Sequence, residues 1–174
     1  DLLELLNEKA FKMLSWLQVI TYKNGHIPMV NDSAYGIAPT SEQLFVHANK
    51  LGLNWIYGEL SDSGYRKIEN SQYELFIDVG NIGPTYQPGH AHSDTFNFEL
   101  YINNVPIIVD SGISTYEKNI LRQNERSTSA HNTVQIGNAE QSQIWGGFRV
   151  GRRAKIISFE EDETTVKASH NGYK

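Results

Sequence analysis

Past about Ser63 the hydrophobic period of the chain changes from helical to strand-like, and that change limits the fold more than any other feature. Tyr73, Leu75, Ile77 and Val79 alternate with Glu74, Phe76 and Asp78; Phe96, Phe98, Leu100 and Ile102 alternate with Thr95, Asn97, Glu99 and Tyr101. Alternation of this kind predicts strands. Asn103-Asn104 between two apolar runs reads as a tight hairpin turn, because asparagine tolerates positive φ. Residues 133–136, 154–159 and 164–169 are further strand candidates, the last two joined by an acidic turn at 160–163.

Before the change the pattern is helical. In residues 1–18, Leu3, Leu6, Ala10, Met13 or Leu14, and Leu17 recur at helical spacing. A second helix starts at Thr40, where Gln43 three residues on completes a capping box. Leu44, Phe45, Ala48 and Leu51 form its stripe, and Gly52 ends it. Trp55, Ile56 and Tyr57 then read as core. Residues 19–39, holding Gly25, Pro28, Gly36 and Pro39, are long for a connector, and loops of that length tend to carry function or lack order. Helices first and an antiparallel sheet second make an α+β organisation, with residues 1–60 helical and 65–174 a β-domain. Two helices bury little by themselves and the last strand runs out without a closing element, so the expectation is a segment of a larger protein.

The chemistry gathers between Gln87 and Gly112. His90 and His92 stand two residues apart at the predicted head of a strand, where side chains of the same parity share a face and can meet at one centre. Asp110 follows His92 after seventeen intervening residues, at a strand end before Ser-Gly. His131 enters another strand-like run. Imidazoles with one carboxylate make a ligand set for zinc or a similar divalent metal, and the absence of cysteine removes disulfides and thiolate zinc sites. A strand histidine is equally at home as a satisfied polar residue. Asp94 reads as a partner to a ligand histidine or simply as a strand start.

The formal net charge of −5 argues against nucleic acid, yet residues 117–155 carry +4, which leaves −9 for the rest. A basic field beside histidines suits an anionic substrate; a solvated strand edge bearing arginines accounts for it too. Arg126, Arg149 and Arg152 have the planar fork that pairs with sugar carboxylates, or else with Glu99, Glu125 and Glu140. Trp145 suits stacking on a sugar ring or burial in a sandwich. His26, His47 and His170 belong to no constellation. No apolar run is long enough to span a membrane, and residues 1–8 lack the basic and apolar regions of a signal peptide.

Taken together, His90-Ala-His92-Ser-Asp94, Val109-Asp110-Ser111-Gly112, Arg126-Ser-Thr-Ser-Ala-His131-Asn132-Thr133-Val134 and Gln141-Ser-Gln-Ile-Trp145-Gly-Gly-Phe148-Arg149-Val-Gly151-Arg152-Arg153-Ala154 resemble the heparinase II/III family of polysaccharide lyases. The earlier Ile27-Pro28, Asn31-Asp32 and Gly36-Ile37-Ala38-Pro39 resemble the tail of that family's helical domain. The resemblance covers roughly residues 25–174 and is strongest over 87–154. It implies the end of an α/α toroid followed by the start of an antiparallel β-sandwich, with the cleft between them. The implied reaction is β-elimination on a uronic-acid-containing polysaccharide, in which a base takes the C5 proton and the C4 oxygen leaves. His90 would be the catalytic histidine, and His92, Asp110 and His131 would hold a mainly structural metal, Zn2+ or another divalent ion such as Ca2+. The family's asparagine and tyrosine from mid-toroid have no matching motif here. A periplasmic or cell-surface bacterial location is implied by the resemblance alone.

Two other readings stand beside it. A cupin-like metal-binding barrel would use Gly89-His90-Ala91-His92 and Glu99, although Glu99 falls on the opposite face of a regular strand from His92. A non-catalytic carbohydrate-binding module would keep the metal for stability.

Overall fold

The computed structural model describes residues 1–174 apart from the side chain of Ser61. Helix α1 (Leu2–Ile20) begins on a capping box between Asp1 and Glu4. Only its last turns are covered: Ser15, Val19 and Ile20 are buried, whereas Leu3, Leu6 and Met13 of the predicted stripe are exposed. Periodicity in the first turns therefore marks a face that stands exposed among the described residues. Helix α2 (Ser41–Lys50) starts on the expected box, with the Gln43 amide N–H on Thr40 Oγ1 and the Thr40 N–H on Gln43 Oε1. Ala48 is buried and Phe45 stacks on Trp55 at 5.1 Å, but Leu44 and Leu51 are exposed, as are Ile56 and Tyr57, which the sequence assigns to a core.

Strands β1 (Tyr65–Glu69), β2 (Tyr73–Asp78), β3 (Phe98–Ile102) and β4 (Val105–Ile108) form one antiparallel meander. Asn103 and Asn104 turn β3 into β4 with φ of 50° and 65°. Phe96, expected inside β3, instead has φ of 67° and lies before it. The buried face of this sheet carries Glu74, Phe76, Asp78, Glu99 and Tyr101, the residues that alternate with the more apolar Leu75, Ile77, Phe98 and Leu100.

The loop after α1 explains that inversion. It lies on the sheet, where Tyr22 and Val30 join Val19, Ile20, Leu60, Phe76 and Tyr101 in one core, and Tyr22 stacks on Tyr101 at 3.9 Å. Its backbone N–H groups lack a ladder and need acceptors once buried. Glu74 accepts from the Lys23 N–H (3.0 Å) and pairs with Lys67 (2.9 Å). Glu99 accepts from the Tyr22 hydroxyl (2.8 Å), the Met29 N–H (2.8 Å) and the Asp110 N–H (3.2 Å). The inward carboxylates thus serve as the loop's missing acceptors.

A short helix α3 (Ile120–Glu125) is followed by two hairpins, β5 (Ile144–Trp145) with β6 (Arg149–Val150), and β7 (Ile156–Glu161) with β8 (Val166–His170). The last pair sits about two residues later than the sequence pattern suggests, around a turn in which Asp162 Oδ1 accepts from the N–H groups of Thr164 and Thr165. Residues 133–136 form no strand. Side chains hold them instead: the Thr133 hydroxyl donates to Thr95 O (2.6 Å), and the Gln141 amide donates to Val134 O (3.2 Å). The architecture is antiparallel sheets with a few helices, and among the described residues no helix is long and apolar enough to cross a membrane.

Candidate functional site

One carboxylate organises the site, and it comes from the long loop. Asp32 sits with its side chain almost enclosed and receives a guanidinium and two imidazoles. Arg122 of α3 forks onto it, Nη1 to Oδ1 at 2.5 Å and Nη2 to Oδ2 at 3.0 Å. His90 Nδ1 meets Oδ2 at 2.6 Å, and His92 Nε2 meets Oδ1 at 2.9 Å. Burial alone would raise the Asp32 pKa, but the hydrogen bonds from His92, Arg122 and His90 outweigh it and hold the group well below the carboxylate range.

His90 and His92 are therefore brought together, though not by strand alternation. Both lie in the irregular segment before β3, and their rings turn to the same acceptor. Their environments differ sharply: the His90 side chain is 60% exposed and that of His92 is 0% exposed. Tyr116 stands beside His90, with its hydroxyl 3.4 Å from Nδ1; burial first, then the Asp32 charge, raises its pKa and keeps the phenol protonated. Arg122 is locked from every side. Its Nε donates to Gly147 O (2.9 Å), Nη2 also reaches Gly89 O (3.3 Å), and the guanidinium lies over the rings of Tyr116 and Phe148.

Behind this lies the proposed metal set. Asp110 Oδ2 accepts from His131 Nδ1 at 2.7 Å, both groups fully enclosed, and the His92 and His131 rings are 5.2 Å apart. Burial, despite help from Asp32, lowers the His92 pKa; for His131 the Asp110 hydrogen bond and nearby carboxylates outweigh burial and raise it. His92 Nδ1, His131 Nε2 and Asp94 Oδ2 are buried without a hydrogen-bond partner. Orphaned imidazole nitrogens beside carboxylates have the donor chemistry of a divalent site. Among the described residues, however, no three His, Asp or Glu side chains converge to enclose an ion.

The remaining predicted residues divide. Arg126 is fully buried, with Nε and Nη2 both on Ala91 O (3.1 and 2.8 Å), so a sugar carboxylate has no route to it; it braces the histidine loop. Trp145 and Arg149 are cross-strand partners on an exposed hairpin, and Arg152 is an exposed residue that donates to Gly172 O (2.7 Å). Among the described residues none of the three arginines pairs with Glu99, Glu125 or Glu140; Glu125 takes Ser114 and Glu140 takes Thr128. The hairpin meets the site through Phe148, edge-on to Tyr116 at 5.7 Å.

His90 also lines a cavity of about 640 Å³, together with Asn31, Tyr65, Asp78 and Asp94. Burial, then the neighbouring Asp94, pushes Asp78 up to about 8, and burial raises Asp94 as well. Asp32, Arg122 and Tyr116 were not singled out from sequence as site residues. The punctuated 19–39 loop and the basic segment were the signals available.

A β-rich domain with a histidine–carboxylate–arginine centre on its loops is the class that this geometry defines. Residues 54–174 match the family described as Heparinase II/III-like, C-terminal, and the chain belongs to that family. Among solved structures, the one titled Crystal Structure of Heparinase III is similar in fold, with a TM-score of 0.56 and 20% identity. The match covers 91% of this chain and 29% of that one, so the chain spans under a third of that heparinase's length. No curated protein matches the chain.

Proposed function

We propose that this chain carries the β-domain share of the active site of a polysaccharide lyase. Its substrate would be a uronic-acid-containing glycan, and α1 and α2 would be the end of a helical toroid domain. The observation that carries the reading is His90, the exposed imidazole of an otherwise enclosed cluster, whose Nδ1 is committed to Asp32. Its Nε2 is thereby left for a substrate proton, as acid–base catalysis requires.

In the elimination a base removes the C5 proton, the electron pair forms the C4–C5 double bond, the C4–O bond breaks, and the leaving oxygen takes a proton. His90 is the proton-transfer residue on this side of the cleft. Arg149 and Trp145 on the exposed hairpin, with the exposed Arg152, are the residues we propose to grip the anionic chain. His92 and His131, with Asp110, would hold a zinc or similar ion. When bound, it would supply cross-linking of the histidine loop to the segment after β4. As the family is typically extracellular or periplasmic, that is the location we propose. The cupin alternative loses support because Glu99 is spent on Tyr22, Met29 and Asp110 and meets neither His90 nor His92.

The test is full-length protein incubated with heparan sulfate and with alginate, reading the unsaturated uronate by ultraviolet absorbance. Product from wild type, lost in a folded His90→Ala variant, is expected; full activity in that variant would overturn the assignment. Metal analysis should find about one zinc per chain, lost in His92→Ala and His131→Ala. Metal without product from any uronate glycan would favour a non-catalytic carbohydrate-binding module.

A further inference from the structure

An ionised carboxylate offers about four lone-pair directions, and on Asp32 all four are used. Oδ1 takes Arg122 Nη1 and His92 Nε2; Oδ2 takes Arg122 Nη2 and His90 Nδ1. Arg122 alone would satisfy the charge. The two further bonds impose something on the histidines. Asp32 can only accept, so the imidazole nitrogen facing it must carry the proton in each ring. For His90 that nitrogen is Nδ1, and for His92 it is Nε2. In their neutral forms the two rings are consequently opposite tautomers. His90 is left with a bare Nε2 on an exposed side chain, and His92 with a bare Nδ1 in the interior, where it has no partner and where His131 Nε2 also lacks one.

We infer that Asp32, clamped by Arg122, is a positioning residue shared by both histidines, turning His90 outward as the proton-transfer group and His92 inward as a metal ligand. The inference rests on the lyase reading for the role of His90 and adds its coupling to the metal side. A ligand histidine commonly donates its other N–H to a carboxylate that sets its orientation; here that carboxylate also holds the neighbouring catalytic ring. Arg122 cannot itself bind substrate, since every guanidinium nitrogen is engaged and the side chain is enclosed. Its part is to hold Asp32 as an acceptor between loops 58 residues or more apart in sequence.

The experiment uses metal-free, full-length protein with 15N-labelled histidine and long-range 1H–15N correlation spectra of the imidazoles near neutral pH. The expected wild-type pattern is His90 protonated at Nδ1 and His92 at Nε2. The same tautomer in both rings would overturn the inference without any variant. Asp32→Asn supplies one acceptor oxygen and an NH2 donor, so it cannot accept from both rings. In that variant one histidine should switch tautomer. Zinc affinity, read by competition with a chromophoric chelator, should fall about ten- to hundredfold. Elimination should lose kcat with little change in KM, and Asp32→Glu should recover part of each loss. Wild-type tautomers together with unchanged zinc affinity in Asp32→Asn would overturn it. Should that variant fail to fold, Arg122→Lys keeps the charge but loses the fork; weaker zinc binding with the fold intact is expected, and unchanged binding counts against the clamp. If wild type forms no unsaturated product, the lyase reading fails, while the tautomers and the zinc titration still judge Asp32.

Discussion

Replacing Arg122 with methionine isolates the energetic value of the clamp. The guanidinium is fully buried, Asp32 nearly so, and the pair is bidentate at 2.5 and 3.0 Å. Methionine refills much of the volume, so the main effect is a carboxylate left buried without its counter-charge, plus the loss of donors to Gly147 O and Gly89 O. Breaking one side of such a pair costs about 3–5 kcal/mol. The two histidines still donate to Asp32 and offset part of this, which places the expected loss near about 3 kcal/mol. With a urea m-value of about 2 kcal/mol/M, the midpoint should drop by about 1.5 M, read by tryptophan fluorescence. Arg149→Met, on an exposed hairpin residue, is the control and should move stability by no more than about 0.5 kcal/mol. An Arg122→Met midpoint indistinguishable from that control would refute the claim that Asp32 depends on the ion pair. The acid limb supplies a second check. The Asp32 pKa is lowered on folding, so its stabilisation is present above the unfolded value near 3.8 and is lost as pH falls toward the depressed folded value. Losing Arg122 should flatten that limb.

Two further outcomes are expected. Asp78, raised to about 8, holds its proton in the folded state, so its contribution makes stability fall as pH climbs from about 4 to about 8. Asp78→Asn, which keeps an acceptor for the Gly80 N–H, should gain on wild type by a few kcal/mol at pH 9 relative to pH 4; parallel pH profiles in urea melts would contradict this. Gly112 has φ of 59°, and a Cβ there would sit 2.2 Å from the Ser33 carbonyl oxygen, next to Asp32. Gly112→Ala should cost at least about 2 kcal/mol and weaken zinc binding by displacing the Asp32 loop, with an unchanged melting temperature as the refuting result.

Local chemistry was the legible part of this protein. The capping box at Thr40 needs only residues three apart, and the Asn103-Asn104 turn needs only two residues that tolerate positive φ. The histidine and aspartate motifs were legible for the same reason, since each is short. Asp32 and Arg122 were not, because their pairing spans 90 residues, Asp32 lies in an irregular loop and the helix of Arg122 is only six residues long. The sheet's inward face was hidden for a different reason. Alternation marks two faces but does not say which is covered, and here the loop's need for acceptors decides in favour of Glu74 and Glu99 over Leu75 and Leu100. Residues 133–136 have strand composition but pair with no strand; Thr95 and Gln141 tie them down through side-chain bonds instead.

The loop sealed against the sheet bears on how such a domain can be moved between proteins. The family match begins at residue 54, yet the sheet it includes is closed from outside by Tyr22, Lys23 and Met29, and its histidines are oriented by Asp32. A piece excised at that border would expose Phe76 and Tyr101, leave Glu74 with Lys67 alone and Glu99 with the Asp110 N–H alone, and free both rings to turn. The heritable module and the cooperative module therefore have different edges, and a transplant onto another helical scaffold has to bring residues 15–33 along as cargo of the β-domain.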